Sequence, residues 1–392
     1  MKKIFYIHLG LVLSVTLLFS CKKDHEPQTQ LVVLGKISGK IVAANNSSAI
    51  KVATVFTNDG GQLYITHSDE TGSFLLEAPA GSRHVTIQTG DGSIFRTEID
   101  VVVVENQTTQ IINAPVVLNQ VATLAYIPGT YDKIEDILVD SMGYTATAIT
   151  WNLLDTMANF TCYDAIFINC TSISLTPLVS TTTDNNLANY VANGGSLYIS
   201  DHAVKYLVGQ ELTPTTPCSV DRVGGFIPDN LLCVRKTGVV GSVINAPITS
   251  APLQAYLNKT TIDEIIYNLN AWEKINTLDS NFWETMVTDL SGNPLLIRTN
   301  SFTNPGGGTY PVGSVLNTGY SLICTPVAGG TNVTLSVKSE NVAAYIANGA
   351  VAGMCDNTTS AGRIYYTTFH NEPNGHIGAD IRNILEYVIL NL

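Results

Sequence analysis

His370 and Glu372 close an apolar run, Gly362–Phe369, and residues two apart on an extended segment share one face. An imidazole beside a carboxylate is fixed in one tautomer and made more basic, which is what a general base requires. A second group, Ser200, Asp201 and His202, follows directly on the strand-like stretch SLYIS. Ser200 with His370 and Glu372 would supply the nucleophile, base and orienting carboxylate of a hydrolase. Asp201, His202, His370 and Glu372 together, two imidazoles and two carboxylates, would instead suit zinc or another divalent metal as cofactor. The chain has neither an HExxH nor a CxxC spacing, so the metal reading depends on folding to bring the four together. His376 is a further loop histidine, either ligand or solvated. Ser200 and Asp201 also have an architectural use, because both residue types are favoured at helix N-caps and a helix is expected from Ala203.

Elements able to position these groups begin at Val121. VATLAYIP reads as a strand, Asp132–Met142 as a helix stopped by Gly143, YTATAIT as a strand, WNLLDTMANF as a helix and YDAIFINC as a strand. A helix over Asn186–Asn193, the strand SLYIS and a helix starting AVKYLVG follow. Such alternation predicts a doubly wound, mostly parallel sheet, with ligands bound outside the carboxyl ends of its strands. Four ends should then share a crevice: Pro128–Tyr131, Asn169–Thr171, Ser200–His202 and His370–Glu372. Residues from about 207 to 335 break the alternation and read as an inserted cap, with a helical segment over Thr261–Asn268 and strands in NPLLIRT and GYSLICTP. Trp272 and Trp283 read as cap core rather than binding surface. The loop NPGGGTY, Asn304–Tyr310, lacks the Lys-Ser/Thr of a phosphate-binding loop.

The order YDAIFIN, helix, NGGSLYISDHA, insertion, GRIYYTTFHNE and closing helix Asp380–Leu392 resembles class I glutamine amidotransferase-like domains, and especially their ThuA-like, non-glutaminase branch. That resemblance implies a flavodoxin-like fold, with His370 and Glu372 matching the last two members of a Cys-His-Glu triad and Asn371 standing where proline is usual. Ser200 falls at the expected nucleophile turn, flanked by Tyr198 and His202 instead of small residues, and no cysteine is present there. Glutamine hydrolysis through a thioester is therefore not expected.

Ahead of this half, residues 31–119 carry short β-rich runs separated by turn residues, the pattern of a sandwich. Thr66–Phe74 followed by Pro79-Ala80-Gly81 resembles the signature of carboxypeptidase regulatory-like (transthyretin-like) domains, in which Asp69 and Gly72 shape a turn and Phe74 enters the core. His67 and His84 read as exposed strand residues. Residues 1–20 have the charge and apolar run of a secretory signal peptide, and Leu18–Cys21 resembles a bacterial lipobox. That resemblance implies acylation, palmitate included, of Cys21 at the head of a tether over 21–30, and Lys22 implies outer-membrane residence facing the periplasm or the cell surface.

The formal net charge is −12 over 392 residues, and the expected leader removes two lysines more. So acidic a chain without a basic cluster is not expected to bind nucleic acid. After Cys21 six cysteines remain in a compartment that permits disulfides. Cys162 and Cys170 bracket a strand that would hold them roughly 26 Å apart, too far to bridge. Cys218 with Cys233 and Cys324 with Cys355 are the loop-closing alternatives, against buried free thiols.

The sequence thus describes a multidomain protein, an all-β transthyretin-like sandwich followed over 121–392 by an α/β flavodoxin-like doubly wound parallel sheet with an inserted cap. Its favoured function is that of a membrane-anchored binding or assembly module with a degenerate crevice for carbohydrate or peptide. A hydrolase or metal-dependent enzyme is the alternative.

Overall fold

Alternate burial along the strands explains the front of the molecule. A computed structural model describes residues 32–111, 115–171, 181–211, 222–303, 309–311, 321–324, 333–336, 362–371 and 378–392. The chain is largely β, with several sheets and few helices. Eight strands, β1 (Leu34–Val42), β2 (Thr54–Asp59), β3 (Gln62–His67), β4 (Ser73–Pro79), β5 (Gly81–Gln88), β6 (Arg96–Val103), β7 (Thr108–Gln110) and β8 (Val116–Val117), form two facing sheets. Their orders are β4-β1-β7, with β8 also on β1, and β3-β2-β5-β6. On β4, Phe74, Leu76 and Ala78 point inward while Leu75 and Glu77 face water, the period expected of a half-buried strand. The β3–β4 turn closes because Asp69 Oδ1 accepts from the backbone N–H of Thr71 (2.8 Å) and Ser73 (3.0 Å), while Gly72 takes φ +78°.

Behind the sandwich the sheet changes character. Strands β9 (Leu124–Ile127), β10 (Thr147–Ala148), β11 (Ala165–Ile168), β12 (Ser196–Ser200), β13 (Trp283–Thr288), β14 (Pro294–Thr299) and β15 (Ile364–Thr367) run in the order β10-β9-β11-β12-β15-β14-β13. The first five in that order are mutually parallel; β14 and β13 join antiparallel. Successive residues of the central strands enter different apolar clusters. Phe167, Tyr198 and Tyr365 belong to one, and Ile166, Ile168, Leu197, Ile199, Ile364 and Tyr366 to the other. A sheet buried on both faces reads as a continuous apolar run, as these strands do.

Helices cover those faces: α1 (Thr181–Ala192), the single turn α2 (Lys205–Val208), α3 (Ala251–Leu257) and α4 (Ala379–Asn391). Leu187 and Val191 of α1 join the second cluster. On α4, Ile381, Ile384, Leu385 and Val388 recur at helical spacing and join the first.

Several expectations need correction. Thr261–Tyr267 is a strand paired antiparallel with Gly241–Pro247, not a helix. Its β-branched residues and the inward Ile262, Ile265 and Tyr267 suit a half-buried strand better than the helical period suggested. WNLLDTMANF forms two short 3₁₀ turns, Trp151–Asp155 and Met157–Asn159, and the YTATAIT strand shrinks to Thr147–Ala148. The helix expected over Asp132–Met142 is π-type over Asp136–Ser141. The insertion is more than a cap, because β13 and β14 extend the main sheet. Trp272 and Trp283 are buried within it, and Ser321–Cys324 is a strand as expected. Cys162 and Cys170 are free thiols, while both proposed disulfide pairs include a residue outside the described set, Cys218 or Cys355.

Candidate functional site

Three of the four strand ends named from the sequence meet through backbone groups and two side chains, Asp132 and Asn371. Thr130 and Tyr131 N–H both donate to the Cys170 carbonyl, at 3.0 and 3.1 Å. Gly129 permits that approach: a Cβ there would lie 2.3 Å from the same oxygen. Asp132 spans two further ends, its Oδ2 accepting from Cys170 N–H (3.2 Å) and its Oδ1 from Asn371 N–H (2.6 Å). Asn371 Oδ1 accepts from Lys133 N–H in return (2.9 Å). The loops after β9, β11 and β15 are therefore tied to one another by buried hydrogen bonds.

Asp201 is the centre of the site. It is fully buried, takes φ +37° where β12 turns into a helical segment, and so occupies the sharp strand-to-helix turn that was expected at Ser200. Its two-removed neighbours are then Ile199 and Ala203. Asp201 Oδ1 accepts from Glu273 N–H at 2.7 Å. Its Oδ2 lies 3.0 Å from His370 Nε2 and 3.7 Å from Cys170 Sγ. Burial pushes the carboxyl up to about 6, with the nearby His202 and His370 opposing the rise.

Ser200 has no part in such a dyad. Its Oγ accepts from Cys170 N–H at 2.8 Å, and although it stands at the N-cap position it makes no capping bond. The expected capping by Ser200 is not made, its side chain bonding toward β11 instead, and no hydrogen bond joins Ser200 to His370 among the described residues.

His370 is 2% exposed and stacks on Tyr131, with ring centroids 6.0 Å apart. Its Nε2 faces Asp201, while Nδ1 has no hydrogen-bond partner among the described residues. Glu372, the carboxylate expected to orient it, lies outside the described residues, as do His376 and Cys21. His202 is buried beside them, its Nδ1 3.6 Å from Glu273 Oε1 and its Nε2 3.9 Å from Asp201 Oδ2.

Cys170 was not singled out as a site residue. Only the fold reveals it, because the strand end it occupies carries no motif. Its thiol is pushed well above the ordinary range, by burial first and then by Asp201 and Asp132, so it stays neutral and is no thiolate nucleophile. Cys170 Sγ, an Asp201 oxygen and a His370 nitrogen lie within 4.8 Å of one another, a set able to hold a divalent cation. Lys205, one turn beyond Asp201, is buried, and desolvation lowers its ammonium to about 8.

Five buried polar atoms around this edge lack partners among the described residues: His370 Nδ1, Asn371 Nδ2, His202 Nδ1, Lys205 Nζ and Glu273 Oε2. Buried polar groups are satisfied almost everywhere in folded proteins, so these atoms are where bound water or a ligand group would be accommodated.

No family model and no curated protein matches the chain. Solved structures with some similarity include two mutant complexes of a type II cohesin with an X-dockerin from Acetivibrio cellulolyticus. One is 16% identical over 29% of this chain and 88% of that chain, with a TM-score of 0.21. The other is 15% identical over 24% of this chain and 76% of that chain, with a TM-score of 0.19.

Proposed function

We propose that this is a lipid-anchored envelope protein whose amidotransferase-like, flavodoxin-related half performs general-base hydrolysis at the Asp201–His370 pair. One observation carries the reading. Asp201 holds His370 Nε2 at 3.0 Å, so the imidazole is fixed with Nε2 protonated and with Nδ1, buried and without a hydrogen-bond partner among the described residues, left to accept a proton. Asp201 thus takes the orienting role expected of Glu372. The base would activate a water or a substrate hydroxyl, since neither Ser200 nor the neutral Cys170 thiol is placed to attack.

The five parallel strands with helices against both faces support the doubly wound reading, and the two-sheet front half supports the transthyretin-like one. Among the described residues no helix is long and apolar enough to cross a membrane. The anchor is proposed from the lipobox-like Leu18–Cys21. Carbohydrate and peptide are the substrate classes proposed for an envelope address.

The test is hydrolysis of chromogenic ester, glycoside and peptide substrates by the full chain in detergent, alongside His370→Gln and Asp201→Asn. Turnover that drops at least about a hundredfold in both variants fits a base and its orienter. Turnover that is absent, or untouched by His370→Gln, rejects the enzyme and leaves the crevice as a binding surface.

A second reading rests on Cys170, Asp201 and His370 lying within 4.8 Å of one another. A divalent cation there would take thiolate, carboxylate and imidazole, and would relieve the burial of Asp201. Metal content measured on the purified chain and on Cys170→Ser decides it: a stoichiometric ion lost in the variant establishes the site, and a metal-free wild type removes it.

A further inference from the structure

A second cavity, lined by none of the residues of this site, lies at the seam between the sandwich and the half built on the parallel strands. Its volume is about 370 Å³, within the range of small-molecule sites, which favour such seams. The sandwich contributes Lys51 and Thr89, α3 contributes Ala255 and Tyr256, β14 contributes Arg298, and α4 contributes Tyr387. We propose that this cavity binds a small organic anion with a flat apolar body.

The walls supply the apolar part. Tyr256 and Tyr387 meet edge to face, with ring centroids 5.4 Å apart, and burial holds the Tyr256 hydroxyl neutral by raising it well above its ordinary range. Such rings offer a hard aromatic surface to a planar guest. Ala255 is exposed at the end of α3, so the cavity opens past a small side chain.

Charge sets the class of guest. Among the described residues no aspartate or glutamate lines the cavity, although the chain as a whole is strongly acidic. Arg298 is already engaged, its Nε donating to Glu284 Oε2 at 2.5 Å, so its charge is compensated. Lys51 is different: its Nζ lies 5.4 Å from the centre of the Tyr256 ring, and it acts on the half-buried Glu386 only through space. The ammonium therefore stands over the aromatic wall, with no bonded partner among the described residues to give up on meeting an anion.

Two features of the lining carry a cost to folding. Thr89 Oγ1 is buried without a hydrogen-bond partner among the described residues. Val52, next to Lys51, holds φ +55°, a conformation that a β-branched residue adopts only under strain. An unpaired hydroxyl and a strained backbone in one wall are the kind of cost that binding sites retain.

Calorimetric titration of the full chain with naphthalene-2-sulfonate, with uncharged naphthalene-2-methanol as comparison, tests the proposal. The sulfonate should bind, and more tightly than the alcohol. Lys51→Gln should weaken the sulfonate by about tenfold, the worth of one charge-assisted contact, and leave the alcohol unchanged. Ala255→Trp should abolish binding of both, with near-ultraviolet circular dichroism confirming the native fold. No sulfonate binding at millimolar concentration, equal binding of the alcohol, or sulfonate binding that Lys51→Gln leaves intact would each overturn the site.

Discussion

At the scale of single residues, the site turns on what burial does to charge. Asp201 titrates near 6, so its carboxylate is complete only above that pH. Below it, protonation removes the acceptor that holds His370 Nε2, and the proposed base loses its orientation. The turnover number divided by KM should therefore fall as pH drops through about 6, and the fall should be missing from the residual activity of Asp201→Asn. A pH-rate profile without that limb counts against Asp201 as the orienter. Lys205 has the opposite sign. Its ammonium titrates near 8 in the folded chain, below an ordinary value of 10.5, so between those values the unfolded chain binds more protons and stability rises with pH. At pH 7 both states are charged and the folded one carries the burial cost, so Lys205→Met should stabilise by roughly 1–3 kcal/mol and flatten the rise. Denaturant midpoints at pH 7 and 9.5 measure both effects, and a less stable variant would contradict the account.

At the scale of elements, the loops after the strands set the geometry. Gly129 lets the loop after β9 reach the Cys170 carbonyl, and any Cβ would strike backbone 2.3 Å away. Gly129→Ala should cost about 1–3 kcal/mol in chemical denaturation and abolish turnover, because Thr130 and Tyr131 would be pushed off Cys170. Unchanged stability would mean the loop yields freely. Much of this level was legible in the sequence. Apolar β-branched runs located β9, β11, β12 and β15, and their order alone placed four ends along one edge. The register at the turn was not legible, because SLYIS reads as a strand whether Ser200 closes it or begins the turn. Only the positive φ at Asp201 separates the two. Thr261–Tyr267 was misassigned for a related reason: TIDEIIY fits both periods over so short a span, and pairing with Gly241–Pro247 decided for the strand. Cys170 went unnoticed because the contact joining it to Asp201 crosses between strands and leaves no spacing to read.

At the scale of the whole molecule, the two halves share a core as well as a chain. One apolar cluster runs from Ile37 and Phe95 in the sandwich to Leu124, Tyr365 and Ile389 beyond it. Phe95 is fully buried, and its ring centre lies 4.4 Å from that of Tyr144, whose hydroxyl donates to the Leu118 carbonyl at 3.1 Å. Asn45 adds polar ties, its backbone N–H donating to Met142 O (2.9 Å) and its Nδ2 to Ser141 O (2.5 Å). A continuous core of this kind should make the halves unfold together. The three tryptophans, Trp151, Trp272 and Trp283, all lie outside the sandwich, so their fluorescence reports the half that follows it alone, whereas far-ultraviolet circular dichroism reports both. Phe95→Ala removes a ring from the sandwich side and should cost about 3–5 kcal/mol. If the core is common, the fluorescence midpoint in urea moves by as much as the dichroism midpoint, although no tryptophan sits in the half that was altered. A fluorescence transition left in place while the dichroism splits into two steps would show instead that the halves fold independently and that the seam is only a contact.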